Sequence, residues 1–310
     1  MGGSGGSSWS SPSDIAKKIR EVEKKTDAQG FQTKVSEYLA ELLAQFNDRD
    51  VPLIQHRLEE VLNKLQDDVD GKVEQIYGGS VAKHTYVDGL SDIDCLLVIN
   101  RTDLEGKNPR EVLTALENAL KEKLKGKAEV SSGQLAVTVT YGDGMEIQLL
   151  PTVKAGDSLK IPSAKSDKQW SHIDPKKFQS GLTKYNEKCD GKLVPTIKLA
   201  KAIISQLPDS RQLSGYHIES LAIDAFKNYF GPKTTASMLP HFFEHAKSRV
   251  LSPMTDSTGQ SVHVDTYMGN VNSEERKAAS HLLGRISKRM ENANASGSID
   301  QWADMFGDRA

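Results

Sequence analysis

Apolar residues recur at helical spacing from Ser13 onward, first in DIAKKIREVEKK, then in KVSEYLAELLAQF, then from Val51 to about Asp67. Ser13 suits an N-cap, and the three amphipathic stretches together predict a helical spine. Between Lys72 and Pro151 the period shortens. Apolar and β-branched residues mark VEQIY, DIDCLLVI, QLAVTVTY and MEIQLL as strands, with PREVLTALENALKEKL inserted as a helix after the second. This predicts a mixed α/β lobe. The polar stretch from Val153 to Asp174 reads as a connector. Helical spacing then returns in PKKFQSGLTKYNEK, KLVPTIKLAKAIISQ, YHIESLAIDAFKNYF, TASMLPHFFEHAKSRV and EERKAASHLLGRISKRM, and a last short amphipathic helix surrounds Trp302 and Phe306. The expected division is a tail over 1–12, a spine with the α/β lobe over 13–174, and a helical lobe over 175–310.

Composition narrows the class. The Gly- and Ser-rich opening cannot bury enough apolar surface to order itself and is excluded from the fold. The remainder, within 310 residues that are 37% hydrophobic, is enough for two lobes with real cores. A net charge of −2 gives no overall basic footprint, so nucleic acid is not demanded as a partner. Cys95 and Cys189 stand far apart and without a CxxC motif, which argues against a disulfide framework or a zinc site and fits a reducing cytoplasm. No stretch approaches the roughly 20 apolar residues that span a bilayer, and the start lacks a secretory pattern, so no membrane association is expected.

The candidate chemistry lies in SDIDCLLVI. Alternation along a strand sets Asp92 and Asp94 on one face and Ile93 and Cys95 on the other. Two acids at the rim of an apolar strand repel unless a cation lies between them. A third acid follows the turn Gly142, Asp143, Gly144: Glu146 shares a face with Gln148 and reaches the aspartates if the strands are neighbours. Three hard oxygen ligands suit Mg²⁺ or Mn²⁺, and two such ions would activate an attacking hydroxyl and neutralise departing pyrophosphate. About a dozen residues upstream, YGGS ends a strand. There Gly79 and Ser80 form a cradle whose backbone amides and hydroxyl suit phosphate oxygens. Lys83 and His84 follow the cradle and are candidates to touch phosphate, with a surface turn as the equal alternative, and His172 and His217 read as hydrogen-bonded structural residues.

A Gly-Ser pair, a gap of about a dozen residues, an acid-x-acid pair and a later third acid resemble the polymerase β type nucleotidyltransferase superfamily. Within it, the length and C-terminal helices are most similar to the cGAS/DncV-like nucleotidyltransferases (CD-NTases) of bacterial antiphage CBASS systems, from about Tyr77 to the end. That resemblance implies a bilobal polymerase β-like fold: a mixed sheet lobe with an N-terminal helical spine, and a helical C-terminal lobe. It implies that Asp92, Asp94 and Glu146 are the catalytic, metal-binding acids. It also implies that Lys198 and Lys201, three apart on one helix face in TIKLAKAIISQ, project toward a triphosphate, with Lys201 the better match. In LSGYHIESLAIDAF it implies that Ser214 contacts phosphate and Tyr216 stacks on a base. Asp256 is given no role, because the proline that often follows an aspartate there is absent.

The implied activity joins NTPs, ATP among them, into a cyclic oligonucleotide messenger. CBASS operon regulators, and conjugation at Ala310 by ubiquitin-transfer-like proteins, are implied partners. Three other readings stay open. GSVAKHTYVDGLSDID resembles the GSxAxGxxxxxSDID pattern of small nucleotidyltransferases that modify drugs or proteins, with His84 in place of the glycine. Template-independent RNA tailing and a non-catalytic scaffold of the same fold are the other two.

Overall fold

The computed structural model describes residues 12–46, 51–77, 83–85, 87, 93–156, 158–259 and 264–307. The first two stretches of the spine form one continuous helix, α1 (Pro12–Gln45), and the third forms α2 (Val51–Asp68). Ser13 therefore lies inside α1 rather than at a cap.

The two spine helices serve different cores. On α2, Ile54, Leu58, Val61 and Leu65 make one stripe that packs on the sheet, whereas Val35, Leu39, Leu42 and Phe46, at the end of α1 and just beyond it, join the core of the helical lobe. A boundary at 174 separates the strands from the later helices, but the core of the second lobe recruits α1 from the start of the chain. The hydrophobic pattern predicts that α1 has a buried face; it carries no information on which lobe covers it.

The sheet runs β1 (Glu74–Tyr77), β2 (Ile93–Val98), β5 (Glu146–Ala155), β4 (Val137–Tyr141) and β3 (Ala128–Ser132) from edge to edge. Only β2 and β5 pair in parallel; the other neighbours are antiparallel. Between β2 and β3 lies α3 (Pro109–Lys123). Asn108 caps it and the Glu111 side chain reciprocates to the Asn108 N–H, a capping box with proline at N1. Val112, Leu113, Leu116 and Leu120 of α3 pack with the α2 stripe against Ile93, Cys95, Leu97, Val137, Val139, Ile147 and Leu149. One face of the central strands is thus given to the helices.

The stretch read as a connector is a β-meander. Beyond Pro151, β5 continues to Ala155, pairs with β6 (Ser158–Ser163), and β6 pairs with β7 (Ser166–Ile173). Ser, Lys and Gln occupy much of these strands because one side is left to solvent. The backbone ladder supplies the pairing whatever the side chains, so the apolar alternation is faint; the partly buried Trp170 of β7 packs against the core. The short edge strand β3 is hidden in the sequence for the same reason.

The second lobe is helical, as expected: α4 (Pro175–Lys188), α5 (Leu193–Ile204), α6 (Gly215–Phe226), α7 (Thr235–Arg249), α8 (Glu274–Ser296) and α9 (Ile299–Ala303). Its centre is α7, whose Met238, Leu239, Phe242, Phe243 and Ala246 are fully buried. Trp302 and Phe306 are also fully buried, and Phe306 meets Tyr38 of α1 edge to face at 6.3 Å. No helix among the described residues is long and apolar enough to cross a membrane.

Candidate active site

The acids sit where the parallel pair β2 and β5 is set by its register. Asp94 lies opposite Gln148 and Ile93 opposite Ile147, so Asp94, Gln148 and, two residues earlier, Glu146 share the face turned away from α2 and α3. All three are half-buried, while Ile93, Cys95, Ile147 and Leu149 on the helix side are buried. The hairpin that delivers Glu146 turns at Gly142, Asp143 and Gly144, where Gly144 takes φ +87° and its N–H donates to the Tyr141 carbonyl at 2.9 Å. Arg57 of α2 holds this turn by a two-pronged pair with Asp143 at 2.8 and 2.9 Å and stacks over Tyr141 at 4.1 Å. Thr140 donates its hydroxyl to Glu146 Oε1 at 3.0 Å, which orients that carboxylate.

Gly79, Ser80 and Asp92 lie outside the described residues, as does Ala310. Among the described residues no group of three or more His, Cys, Asp or Glu gathers around a common point. Two of the expected acids are on one face, and their carboxylate oxygens, with no thiolate or imidazole among them, fit a hard divalent ion. Cys95, the next residue after Asp94, is no competitor for a metal: burial pushes its thiol up to about 12, and the negative charge of Asp94 adds to this. Both cysteines are free and buried.

The residues after the cradle bind the helical lobe. His84 has φ +59°, the left-handed conformation that glycine adopts most easily, so the backbone at this position keeps the glycine geometry that its side chain disfavours. On either side of it, Lys83 and Thr85 both bond to Glu219 of α6. Glu219 is fully buried and also accepts from Lys201 Nζ at 3.0 Å. Burial alone would raise the Glu219 pKa, but the ammonium groups of Lys201 and Lys83 outweigh it and hold the carboxyl down to about 2. Lys201 is itself buried and donates further to the Thr85 carbonyl at 3.0 Å and hydroxyl at 3.3 Å. Lys198, one turn earlier on α5, is half-buried.

Ser214 is the exposed N-cap of α6, its Oγ accepting from the His217 N–H at 3.2 Å. Tyr216, in the first turn, is fixed by its hydroxyl bond to the buried Asp256 and by an edge-to-face contact with Phe178 at 4.9 Å. Lys83 Nζ lies 5.3 Å from the Tyr216 ring centre. The structure therefore brings Lys83, Lys201, Ser214 and Tyr216 around one end of α6.

Four residues to which sequence reasoning gave no role organise this end: Thr85, Glu219, Asp256 and Tyr267. The signal for Glu219 was an acid inside the apolar run HIESLAIDAF, since acids are seldom fully buried unless paired. Tyr267 accepts from the Ser214 N–H at 3.1 Å and shares a hydrogen bond of 2.9 Å with His217 Nδ1.

His217 is buried and bonded to Tyr267, whereas His172 is exposed and bonds the Ser158 hydroxyl at 3.2 Å through Nδ1. Burial lowers the His217 pKa from 6.5 to about 4. The unfolded chain takes up this proton more readily, so the stability His217 contributes is complete above about pH 6.5 and is lost as the pH falls through about 4. The thermal midpoint is expected to fall on acidification from pH 6.5 toward about 5, before most carboxylates titrate. In His217→Asn, which keeps a polar partner for Tyr267, that slope should largely disappear in melts recorded across the window.

The two-lobed arrangement, a mixed sheet with acids on the face turned away from α2 and α3 together with a helical lobe, is that of a polymerase β-like nucleotidyltransferase. Solved structures share it: Escherichia coli MS115-1 CdnC with ATP is 18% identical with a TM-score of 0.62, covering 89% of this chain and 98% of that one. The Vibrio cholerae DncV cyclic AMP-GMP synthase in complex with a linear intermediate is 13% identical with a TM-score of 0.62, covering 95% and 91%. At these identities the likeness is one of fold. A family model for the Second Messenger Oligonucleotide or Dinucleotide Synthetase domain matches residues 32–186, half of the chain, and the chain belongs to that family of cGAS/DncV-like nucleotidyltransferases. A curated relative, the probable cyclic nucleotide synthase IK1_05630 of Bacillus cereus strain VD146, is 25% identical over 142 residues, which are 45% of this chain. The match spans only 42% of that relative's length.

Proposed function

We propose that this nucleotidyltransferase joins NTPs, ATP among them, into a cyclic oligonucleotide with release of pyrophosphate, and that the product signals in antiphage defence from the cytoplasm. The observation that carries the reading is the shared open face of Asp94 and Glu146, within a family defined by second-messenger synthesis. Asp92, Asp94 and Glu146 would hold Mg²⁺ or Mn²⁺, as two ions, which when bound supply charge neutralisation at the phosphates and acidify the attacking hydroxyl. The chain's own residues bind and orient. Gly79 and Ser80 cradle the triphosphate. The Ser214 oxygen accepts from the helix, and its O–H, which interacts with the Tyr267 hydroxyl, would turn to donate to a phosphate oxygen at the positive end of α6. Lys198 and Lys201 add positive charge on the same side. Tyr216, its ring plane already fixed by Asp256 and Phe178, offers a face for a base at little further cost in side-chain entropy.

The reading is tested by incubating the purified chain with labelled NTPs and Mg²⁺ or Mn²⁺, then treating with phosphatase. A phosphatase-resistant small nucleotide is the expected product. Label on protein or a small amine would point to the modifying class, label on added RNA to tailing, and none under any condition to a scaffold; each would overturn the reading.

A further inference from the structure

The triphosphate side of the proposed site contains one fully buried acid that no step of nucleotidyl transfer requires. Glu219 of α6 gathers Lys83 and Thr85 from the segment after the cradle and Lys201 from α5, so three separate pieces of chain meet at one carboxylate. A buried carboxylate is retained at a cost in desolvation, repaid only when its partners are held in good geometry. Here the geometry is complete for Lys201. Its ammonium has three N–H donors, and the Thr85 carbonyl, the Thr85 hydroxyl and Glu219 Oε1 provide three acceptors at 3.0, 3.3 and 3.0 Å. Lys201 also runs beneath the start of α6, where a Cβ on Gly215 would lie 3.4 Å from its Cε and Nζ. Lys83 bonds Glu219 and lies 5.2 Å from the Phe178 ring centre and 5.3 Å from that of Tyr216. Two ammonium groups share one carboxylate, so a net positive charge is fixed at the end of α6 that Ser214 caps.

We infer that Glu219 is a positioning residue for substrate: through Lys83, Thr85 and Lys201 it locks residues 83–85 onto α5 and α6, so that the end of α6 carrying Ser214 and Tyr216 is held to face one nucleotide. The inference rests on the nucleotide site proposed above. On this account Lys201 acts through Thr85 and Glu219, and its charge reaches the triphosphate from behind the first turn of α6. A folded protein without the lock still has its catalytic acids, so the loss falls on substrate binding rather than on the chemical step.

The test uses the full-length chain and its variants Glu219→Gln, Lys83→Met and the double variant, with KM and kcat measured for the NTPs that the wild type consumes. Folding is followed by circular dichroism and thermal melting. Glu219→Gln keeps the shape and removes the charge; its KM is expected to rise about tenfold or more while kcat stays within about threefold. Lys83→Met should raise KM in the same direction, and the double variant should be no worse than Glu219→Gln, because both act through one cluster. A merely structural role gives the opposite split, a smaller active fraction that lowers apparent kcat at unchanged KM. An unchanged KM in folded Glu219→Gln, or fully additive effects, would overturn the inference. Should Glu219→Gln not fold, Thr85→Val and Lys83→Met decide: a normal KM in both overturns it. A wild type that consumes no NTP sinks the functional reading and this inference together, whereas an active wild type with an unaffected folded Glu219→Gln sinks the inference alone.

Discussion

Asp94→Ala should abolish nucleotide joining, by about a thousandfold or more, while the protein stays folded. A carboxylate that holds a divalent ion at the reacting phosphate contributes several kcal/mol to the transition state, and each 1.4 kcal/mol or so is a factor of ten in rate. The fold is spared because Asp94 points away from the α2 and α3 side of the sheet, where Ile93, Cys95 and Leu97 make the packing contacts of β2. Alanine at one strand position costs about 1 kcal/mol or less in β propensity. The double variant Asp92→Ala, Asp94→Ala should behave alike. Product formation from labelled NTPs, with circular dichroism of the same preparations, checks both halves of the statement. Retained synthesis in the double variant would remove these acids from the mechanism.

The largest effect on stability is expected at Arg276, near the start of α8. Its guanidinium is fully buried and donates to the Asp265 carboxylate at 2.9 Å and to the Val250, Asp265, Gly269 and Asn270 carbonyls. Truncation to alanine leaves the buried Asp265 charge without its cation and several carbonyls without donors. The expected cost is about 3–5 kcal/mol, read from urea unfolding. Lysine should restore only part of it, because an ammonium cannot reproduce the planar fork. A catalytic consequence follows. Arg276 fixes the turn that carries Tyr267, and Tyr267 in turn accepts from the Ser214 N–H, so partial loosening should raise KM for NTPs before the protein unfolds. A loss of under about 1 kcal/mol would contradict this reading of the buried pair.

That Asp94 and Glu146 share one face of the sheet was legible in the sequence because a strand has an unambiguous period. DIDCLLVI fixes which residues share a side with Asp94, the Gly142 to Gly144 turn fixes where the next strand begins, and parallel neighbours then bring Glu146 to the same face. The amphipathic helices were legible for the same reason. What stayed hidden depends on contacts between distant segments. Nothing local to Val35, Leu39 and Leu42 says that they pack with α7 rather than with the sheet. The β6 and β7 meander is held by backbone pairing and presents polar residues to solvent, so its composition imitates a loop. Glu219 and Asp256 take partners as far as 134 and 40 positions away, Thr85 and Tyr216, which no local pattern announces. Lys201 was legible as a cation on a helix, but its burial and its partners Thr85 and Glu219 were not.

The central claim is that the acids on the β2 and β5 face close a ring of nucleotides. Mass spectrometry of the material made from all four NTPs with Mg²⁺ tests it most directly. Ring closure predicts a product whose mass is a whole number of nucleoside monophosphate units less one water for each, with no terminal phosphate. Its yield should vanish in the double variant of Asp92 and Asp94. Linear products that keep a 5′ triphosphate as the only species, or a cyclic product undiminished in that variant, would contradict it.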